Sequence, residues 1–248
     1  MTSPTRKQDQ KYWDRMAARW DHEIFNTLEQ DRFGVIAAEL KRSSAKARSV
    51  ADFGCGIGIY FPLLSRLFDQ VVGFERSRAC VQIARRRFRA SPNVAVYSRT
   101  AVGHRRHEFD VALCVNVAMH PTLRGRLSVL HAVRSLLAPG GKLLLVLPSL
   151  ESASMVAEAE QDGLAKRGAS GPGDWRVTSR ARGIVTIEGV PYKHYLKDEL
   201  RDMLVALGFS VSRIRRVEYS WSSQDVRPGP KCRGKLPWDW IVVGRKTS

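Results

Sequence analysis

The stretch Ser49-Val50-Ala51-Asp52-Phe53-Gly54-Cys55-Gly56-Ile57-Gly58 decides how the rest of the chain is read. A short apolar run ends in three glycines spaced G-x-G-x-G, and a helix-like segment from Ile59 to Leu67 follows. An apolar run without polar alternation is expected of a strand buried on both faces of a parallel sheet. Glycines at a strand-to-helix turn permit a tight bend and let backbone N–H groups approach a ligand closely. The dinucleotide spacing would be G-x-G-x-x-G, whereas position 59 is isoleucine. Glu75 lies 21 residues after Gly54, just past the apolar run Gln70 to Phe74. Two carboxylate oxygens at such a strand end match the vicinal hydroxyls of a ribose.

Outward from this turn the chain alternates strand and helix. The pattern predicts a helix over Arg78 to Arg89, a strand around Val94 to Tyr97, a strand over Phe109 to Val115, a helix over Arg124 to Leu137 and a strand over Lys142 to Leu147. Upstream, Tyr12, Met16, Trp20 and Ile24 recur at four-residue steps, and Phe33, Ile36, Ala37 and Leu40 at three- and four-residue steps, so two helical segments are expected in 11–40. Residues 149–193 break the rhythm with a polar, glycine-rich section, Gly168 to Asp174, followed by Ile184, Val185 and Ile187 as one extra strand. That stretch reads as an insertion over the sheet edge. A helix through Leu196, Leu200, Met203, Leu204 and Leu207, stopped by Gly208, precedes strands over Phe209 to Val217 and Trp238 to Val243. The expected fold class is α/β, a doubly wound, mostly parallel, seven-stranded sheet in a single domain over 1–248. Its parts are N-terminal helices (1–48), a core (49–148), the insertion (149–193) and a C-terminal helix with strands (194–248).

Composition excludes several classes. The chain has 248 residues, 44% hydrophobic and 26% charged, close to globular averages, so neither disorder nor a fibre is expected. Apolar stretches such as Leu143 to Leu147 are too short to cross a bilayer, and MTSPTRKQDQKYW lacks the apolar core of a signal peptide. A cytoplasmic location and no membrane partner are expected. Cys55, Cys80, Cys114 and Cys232 form no C-x-x-C pair and no zinc-ligand spacing with histidine, so reduced, packed thiols and no metal are expected. The formal net charge of +17 is spread along the chain without a basic tail. Such a surface attracts anions or nucleic acid but does not by itself identify a partner.

Four stretches in order resemble the class I S-adenosylmethionine-dependent methyltransferase superfamily, of the small-molecule type: VADFGCGIG at 50–58, VVGFE at 71–75, FDVALCVNVAMH at 109–120 and LLAPGGKLLLVLP at 136–148. The resemblance covers residues 10–150 well and 194–248 more loosely, and implies a Rossmann-like methyltransferase fold. It implies S-adenosyl-L-methionine as cofactor and S-adenosyl-L-homocysteine as its product. Gly54, Gly56 and Gly58 would wrap the methionine part, Asp52 would order the turn and reach the ammonium, and Glu75 would hold the ribose. Val115 and Asn116 end the fourth strand, where relatives offer a backbone carbonyl to the ammonium. The family commonly places an acid followed by alanine at the adenine edge; here the pair is Thr100-Ala101, so a hydroxyl and the Ala101 backbone stand in its place. KYWDRMAARWD at 11–21 is similar to the lid helix of relatives, with Tyr12 and Trp20 as cofactor covers, beside Trp13. The 149–193 insertion would cap the substrate.

Two histidines are candidates for proton transfer. His120 follows the fourth strand, where the family's active-site loop faces substrate, and His194 precedes the late helix. An imidazole can take a proton at neutral pH. Methyl transfer mainly needs proximity and in-line alignment, so the lack of a triad or paired carboxylates is expected. The expected partner is a small-molecule methyl acceptor. RNA is a possible partner that is not favoured: the charge would help, but no appended RNA-binding module and no basic strand pair interleaved with aromatics is found. An inactive cofactor-binding scaffold is the remaining alternative. The sequence leaves the acceptor atom and the oligomeric state open.

Overall fold

The buried runs of the sequence become neighbouring strands. A computed structural model describes residues 6–20, 24–166, 175–187 and 189–247. Strands β1 (Ser49–Phe53), β2 (Gln70–Glu75), β3 (Val94–Ser98), β4 (Phe109–Val115), β5 (Leu137–Pro148), β9 (Phe209–Glu218) and β10 (Trp238–Lys246) form a seven-stranded sheet ordered β3-β2-β1-β4-β5-β10-β9. All five residues of β1 are buried, as a central strand covered on both faces requires. Val50 aligns with Val71 of β2 on one side and Val111 of β4 on the other, both in parallel pairing. β10 runs antiparallel to both β5 and β9. The strand order reverses between β1 and β4, and the carboxyl ends of strands at such a reversal form a natural crevice.

Helices cover both faces. Val35, Ile36 and Leu40 of α3 (Val35–Ser44), Phe61 and Leu64 of α4 (Phe61–Leu67) and Val81 and Ala84 of α5 (Arg78–Arg87) pack with Val50, Val71 and Val111. On the opposite face, Val129, Leu130 and Val133 of α6 (Leu123–Leu136) and Leu200 and Leu204 of α8 (Lys197–Ala206) pack with Ala51, Phe53 and Val72. Period-two alternation along β1 and β2 sends neighbours to opposite layers. Leu64 and Leu130 are at most 1% exposed, and truncating such a side chain to alanine costs about 2–5 kcal/mol. The seven-stranded α/β expectation holds.

Several boundaries differ from the sequence reading. The N-terminal helix α1 (Arg6–Met16) stops before Trp20 and gives way to a 3-10 turn at Ala17–Arg19, with a short α2 (Thr27–Gln30) beyond. Phe33 is 62% exposed and precedes α3, whose N-cap Gly34 sits at φ 61°; its match to the helical step is incidental. β5 starts at Leu137, five residues before the expected Lys142, because the chain enters the strand directly from α6.

The largest difference is the insertion. It begins with the 17-residue helix α7 (Leu150–Lys166), followed by an antiparallel sheet of β6 (Trp175–Ser179), β7 (Ile184–Ile187) and β8 (Val190–Lys193) where one strand was expected. Leu150, Ala153, Val156 and Ala159 are buried at three-residue steps. Small side chains there hide the helical stripe from a hydropathy reading. Gly168 to Asp174 lie outside the described residues.

Candidate active site

The turn after β1 is held by backbone geometry. Gly54, Gly56 and Gly58 all have positive φ, at 81°, 55° and 89°. At Gly54 a Cβ would run into the Val117 side chain, and at Gly56 it would lie 2.6 Å from Cη2 of Trp20. Only glycine fits those two positions without displacing a neighbour. Glu75, at the end of β2, clamps the turn from the side: Oε2 accepts the Gly56 N–H at 3.1 Å, and Oε1 accepts those of Arg76 (2.6 Å) and Ser77 (2.8 Å). Each carboxylate oxygen has two acceptor positions, so Oε2 keeps one for a ligand hydroxyl.

The N-terminal segment closes over this turn. Asp14 on α1 accepts from the Ser77 hydroxyl at 2.6 Å and the Ala79 N–H at 3.3 Å, joining α1 to the first turn of α5. Trp20 lies against Gly56, Trp13 packs on Trp20 with ring centroids 5.7 Å apart, and Tyr12 contacts Trp13 at 5.1 Å. Trp20 is thus the aromatic in direct contact with the turn, and Tyr12 stands two rings away.

Asp52 is 2% exposed, and its Oδ2 has no hydrogen-bond partner. Burial, with the negative charge of Glu75, pushes its carboxyl up to about 8. A buried acid without a partner beside a glycine turn fits a cationic ligand group, which would restore its charge.

Next to the turn lies a cavity of about 370 Å³. Asn116, at φ 52° just after β4, connects the two: its neighbour Val117 packs on Gly54, while its Nδ2 donates to Asp239 Oδ2 at 3.3 Å. Asp239, on β10, also accepts the Tyr219 hydroxyl at 2.8 Å, and burial pushes its carboxyl up to about 6. The cap is fastened to the sheet by the Ser152 hydroxyl of α7, which accepts the Trp238 N–H at 2.8 Å.

His194 lines this cavity, and His120 is not among the lining residues. The Lys193 N–H bonds to Met119 O and the Tyr195 N–H to Pro148 O, both at 2.8 Å, which fixes His194 between the β4 loop and the end of β5. The His194 Nδ1 lies 3.4 Å from the Tyr192 carbonyl, which makes Nδ1 the donor and leaves Nε2 as acceptor. Burial lowers its pKa to about 4, so the ring is neutral near pH 7. His120 instead turns toward α6, with Nδ1 accepting the Thr122 N–H at 3.0 Å and its ring packed against Gly125. Thr100 is exposed in the 3-10 turn after β3 and bonds Ser98 Oγ at 3.2 Å, and Ala101 packs partly into the core. Sequence reasoning missed Asp239, Tyr219, Trp175 and Glu160. Only Trp238-Asp239-Trp240, a lone acid inside an apolar strand, carried a signal.

Residues 28–213 match the family model of a methyltransferase domain. The chain belongs to that family. The chain is 28% identical over 142 residues to a ubiquinone biosynthesis O-methyltransferase of Xanthomonas axonopodis pv. citri (strain 306), covering 54% of this chain and 55% of that protein. It is 36% identical over 104 residues to the tRNA (carboxymethyluridine(34)-5-O)-methyltransferase ALKBH8 of Macaca fascicularis, covering 41% of this chain and 15% of that protein. The chain therefore spans about half the length of the first relative and a small part of the second. Among solved structures, it resembles the 1,6-didemethyltoxoflavin-N1-methyltransferase of Burkholderia thailandensis with bound 1,6-didemethyltoxoflavin and S-adenosylhomocysteine, at a TM-score of 0.60 and 16% identity over 100% of this chain and 94% of that one. This likeness establishes the methyltransferase fold. Among the described residues, no helix of this methyltransferase domain is long and apolar enough to cross a membrane.

Proposed function

We propose that the chain is an S-adenosylmethionine-dependent methyltransferase acting on a small molecule held in the cavity beside Asn116. The observation that carries this reading is the pairing of an unpartnered, buried Asp52 and a three-glycine turn with an adjoining cavity of metabolite size, about 370 Å³. When bound, the cofactor supplies an activated methyl group on a sulfonium. Asp52 attracts its ammonium, Glu75 accepts from the ribose through the free position on Oε2, and the turn at 54–58 lets its backbone approach. Trp20 covers the turn, with Tyr12 supporting through Trp13. Ala101 and Thr100 flank the adenine, and Val115 with Asn116 forms the passage toward the acceptor.

The chain's own contribution is alignment and exclusion of water. The cap formed by residues 149–193 roofs the acceptor. His194, rather than His120, reaches it. A ring held near 4 accepts a hydrogen bond more readily than a proton, and the Asp239 carboxyl, near 6, is the stronger proton acceptor. The test is methyl-labelled cofactor incubated with a cell metabolite extract and, separately, with total RNA. Label in the small-molecule fraction at physiological salt is expected. Label confined to RNA would overturn the choice of acceptor, because phosphate-led RNA binding weakens steeply with salt.

A further inference from the structure

The acceptor cavity carries the opposite electrostatic sign to the protein around it. The chain has a formal net charge of +17, yet the lining of the cavity includes Asp239, Glu160 and Asp225 and, among the described residues, neither lysine nor arginine. The remaining wall is rich in rings, among them Phe25, Trp175 and Tyr219. Phe25 and Tyr219 meet edge to face with centroids 4.9 Å apart, and Trp175 meets His194 at 6.4 Å, so the rings form fixed walls rather than scattered contacts.

Asp239 is the deepest of the acids, at 8% exposure. The bonds it accepts come from the neutral Tyr219 hydroxyl and Asn116 amide. A buried carboxylate is stabilised most by a cation, and two neutral donors offset only part of its desolvation. Aromatic faces around it also attract positive charge. Among the described residues, both donors to Asp239 are neutral, so its carboxylate is the group in this cavity that a cationic ligand would stabilise most.

We propose that the methyl acceptor is an organic amine, bound as its ammonium against Asp239 with its carbon skeleton among the aromatic walls, and that its nitrogen receives the methyl group. The inference rests on the methyltransferase reading above. The bound ammonium first yields one proton to the Asp239 carboxylate. The freed lone pair forms the C–N bond as the C–S bond breaks and its electron pair stays on sulfur, so the positive charge moves from sulfur to nitrogen. Asp239 returns its proton to water and faces the new cation as a carboxylate. A fixed negative group placed where positive charge develops favours that transfer.

Three probes of one skeleton test the idea: phenethylamine, neutral 2-phenylethanol and anionic phenylacetate. Each is titrated by calorimetry into the protein saturated with S-adenosylhomocysteine. The amine is expected to bind at least about tenfold more tightly than either other probe, a difference of about 1.4 kcal/mol. Asp239→Asn is expected to lose at least that tenfold for the amine while holding 2-phenylethanol within about twofold. If circular dichroism shows that this variant does not fold, Glu160→Gln carries the test, with amine affinity reduced about threefold. Phenylacetate binding as tightly as the amine, no amine binding, or amine affinity unchanged in the folded variant would each overturn the inference. Failure of S-adenosylhomocysteine itself to bind the wild-type chain would instead overturn the methyltransferase reading, so the two failures are distinguishable.

Discussion

The cofactor turn and the acceptor cavity lie side by side but are built on different principles. The turn comes from two short segments, 52–58 and 75–77, and its key groups are backbone N–H donors, glycine dihedrals and the two carboxylates of Asp52 and Glu75. The cavity draws side chains from Phe25 to Asp239, across loops, the cap and the antiparallel strand β10. A site written in the backbone leaves a local sequence signature and tolerates almost no substitution. A site written in side chains leaves a scattered signature and can be re-cut one residue at a time. That contrast is consistent with one fold accepting many substrates.

The sharpest way to break the contrast is Gly56→Val. Its φ of 55° is strained for a branched residue, and the new side chain meets Trp20. Affinity for S-adenosylhomocysteine is expected to fall at least about 100-fold by calorimetry, the equivalent of about 2.7 kcal/mol. A folded variant that binds within tenfold would show that the turn is not backbone-defined. Glu75→Ala comes next. It removes the proposed ribose acceptor and three backbone bonds, so affinity should drop at least about tenfold and the melting temperature should fall, since bonds to a charged group are worth about 1.5–3 kcal/mol each. An unchanged dissociation constant would remove Glu75 from the site.

Asp52 supplies a pH test of the same region. Its carboxyl is raised to about 8 in the free protein, and a cationic ligand favours the ionised form. Binding of S-adenosylmethionine at pH 7 should therefore release close to one proton, about 0.9 for an acid titrating one unit higher. Calorimetry in two buffers of different ionisation heat measures it, and affinity should climb as pH rises toward 8. No proton release would place the ammonium elsewhere. The folded state holds this proton more tightly than the unfolded chain does. The stability Asp52 contributes is thus fully present below about pH 4 and declines as pH rises toward 8. Asp52→Asn should flatten that slope.

The smallest effects sharpen the other side. Trp175→Ala should enlarge the cavity yet leave affinity for S-adenosylhomocysteine within about twofold, about 0.4 kcal/mol. A tenfold loss would mean that the two regions are not separable. Thr100→Asp, which restores the acid common in relatives, should keep or strengthen binding by no more than about threefold, because a carboxylate accepts from an amine better than a hydroxyl does. A large loss without unfolding would place Thr100 away from the adenine edge.

Legibility in the sequence follows the same division. β1 and β2 are readable because each buries five consecutive residues that are mostly apolar, and the glycines mark a turn whose φ values admit little else. α7 is not, because Ser152, Ala153 and Ala159 bury small side chains that carry a weak hydropathy signal. His120 and His194 looked alike as residues beside the sheet. What separates them is a bond to Thr122, two residues on, in one case and long-range bonds from positions 193 and 195 to Met119 and Pro148 in the other, and the long-range pair is not encoded locally. Asp239 illustrates the limit most clearly: a lone acid in WDWIVV could as well be an edge residue, and its partners Asn116 and Tyr219 sit far off in the chain.

The insertion of β10 between β5 and β9 also sets an order of events during synthesis. Strands β1 to β5 and the glycine turn leave the ribosome about ninety residues before Trp238 and Asp239 do, and sequential emergence lets earlier segments organise first. The segments of the glycine turn are thus synthesised well before the strand that carries Asp239. Until β10 slides into place, β5 presents an open edge of unpaired backbone groups, the kind of surface that recruits chaperones or stray strands. The strand that completes the chemistry is also the one that seals the sheet.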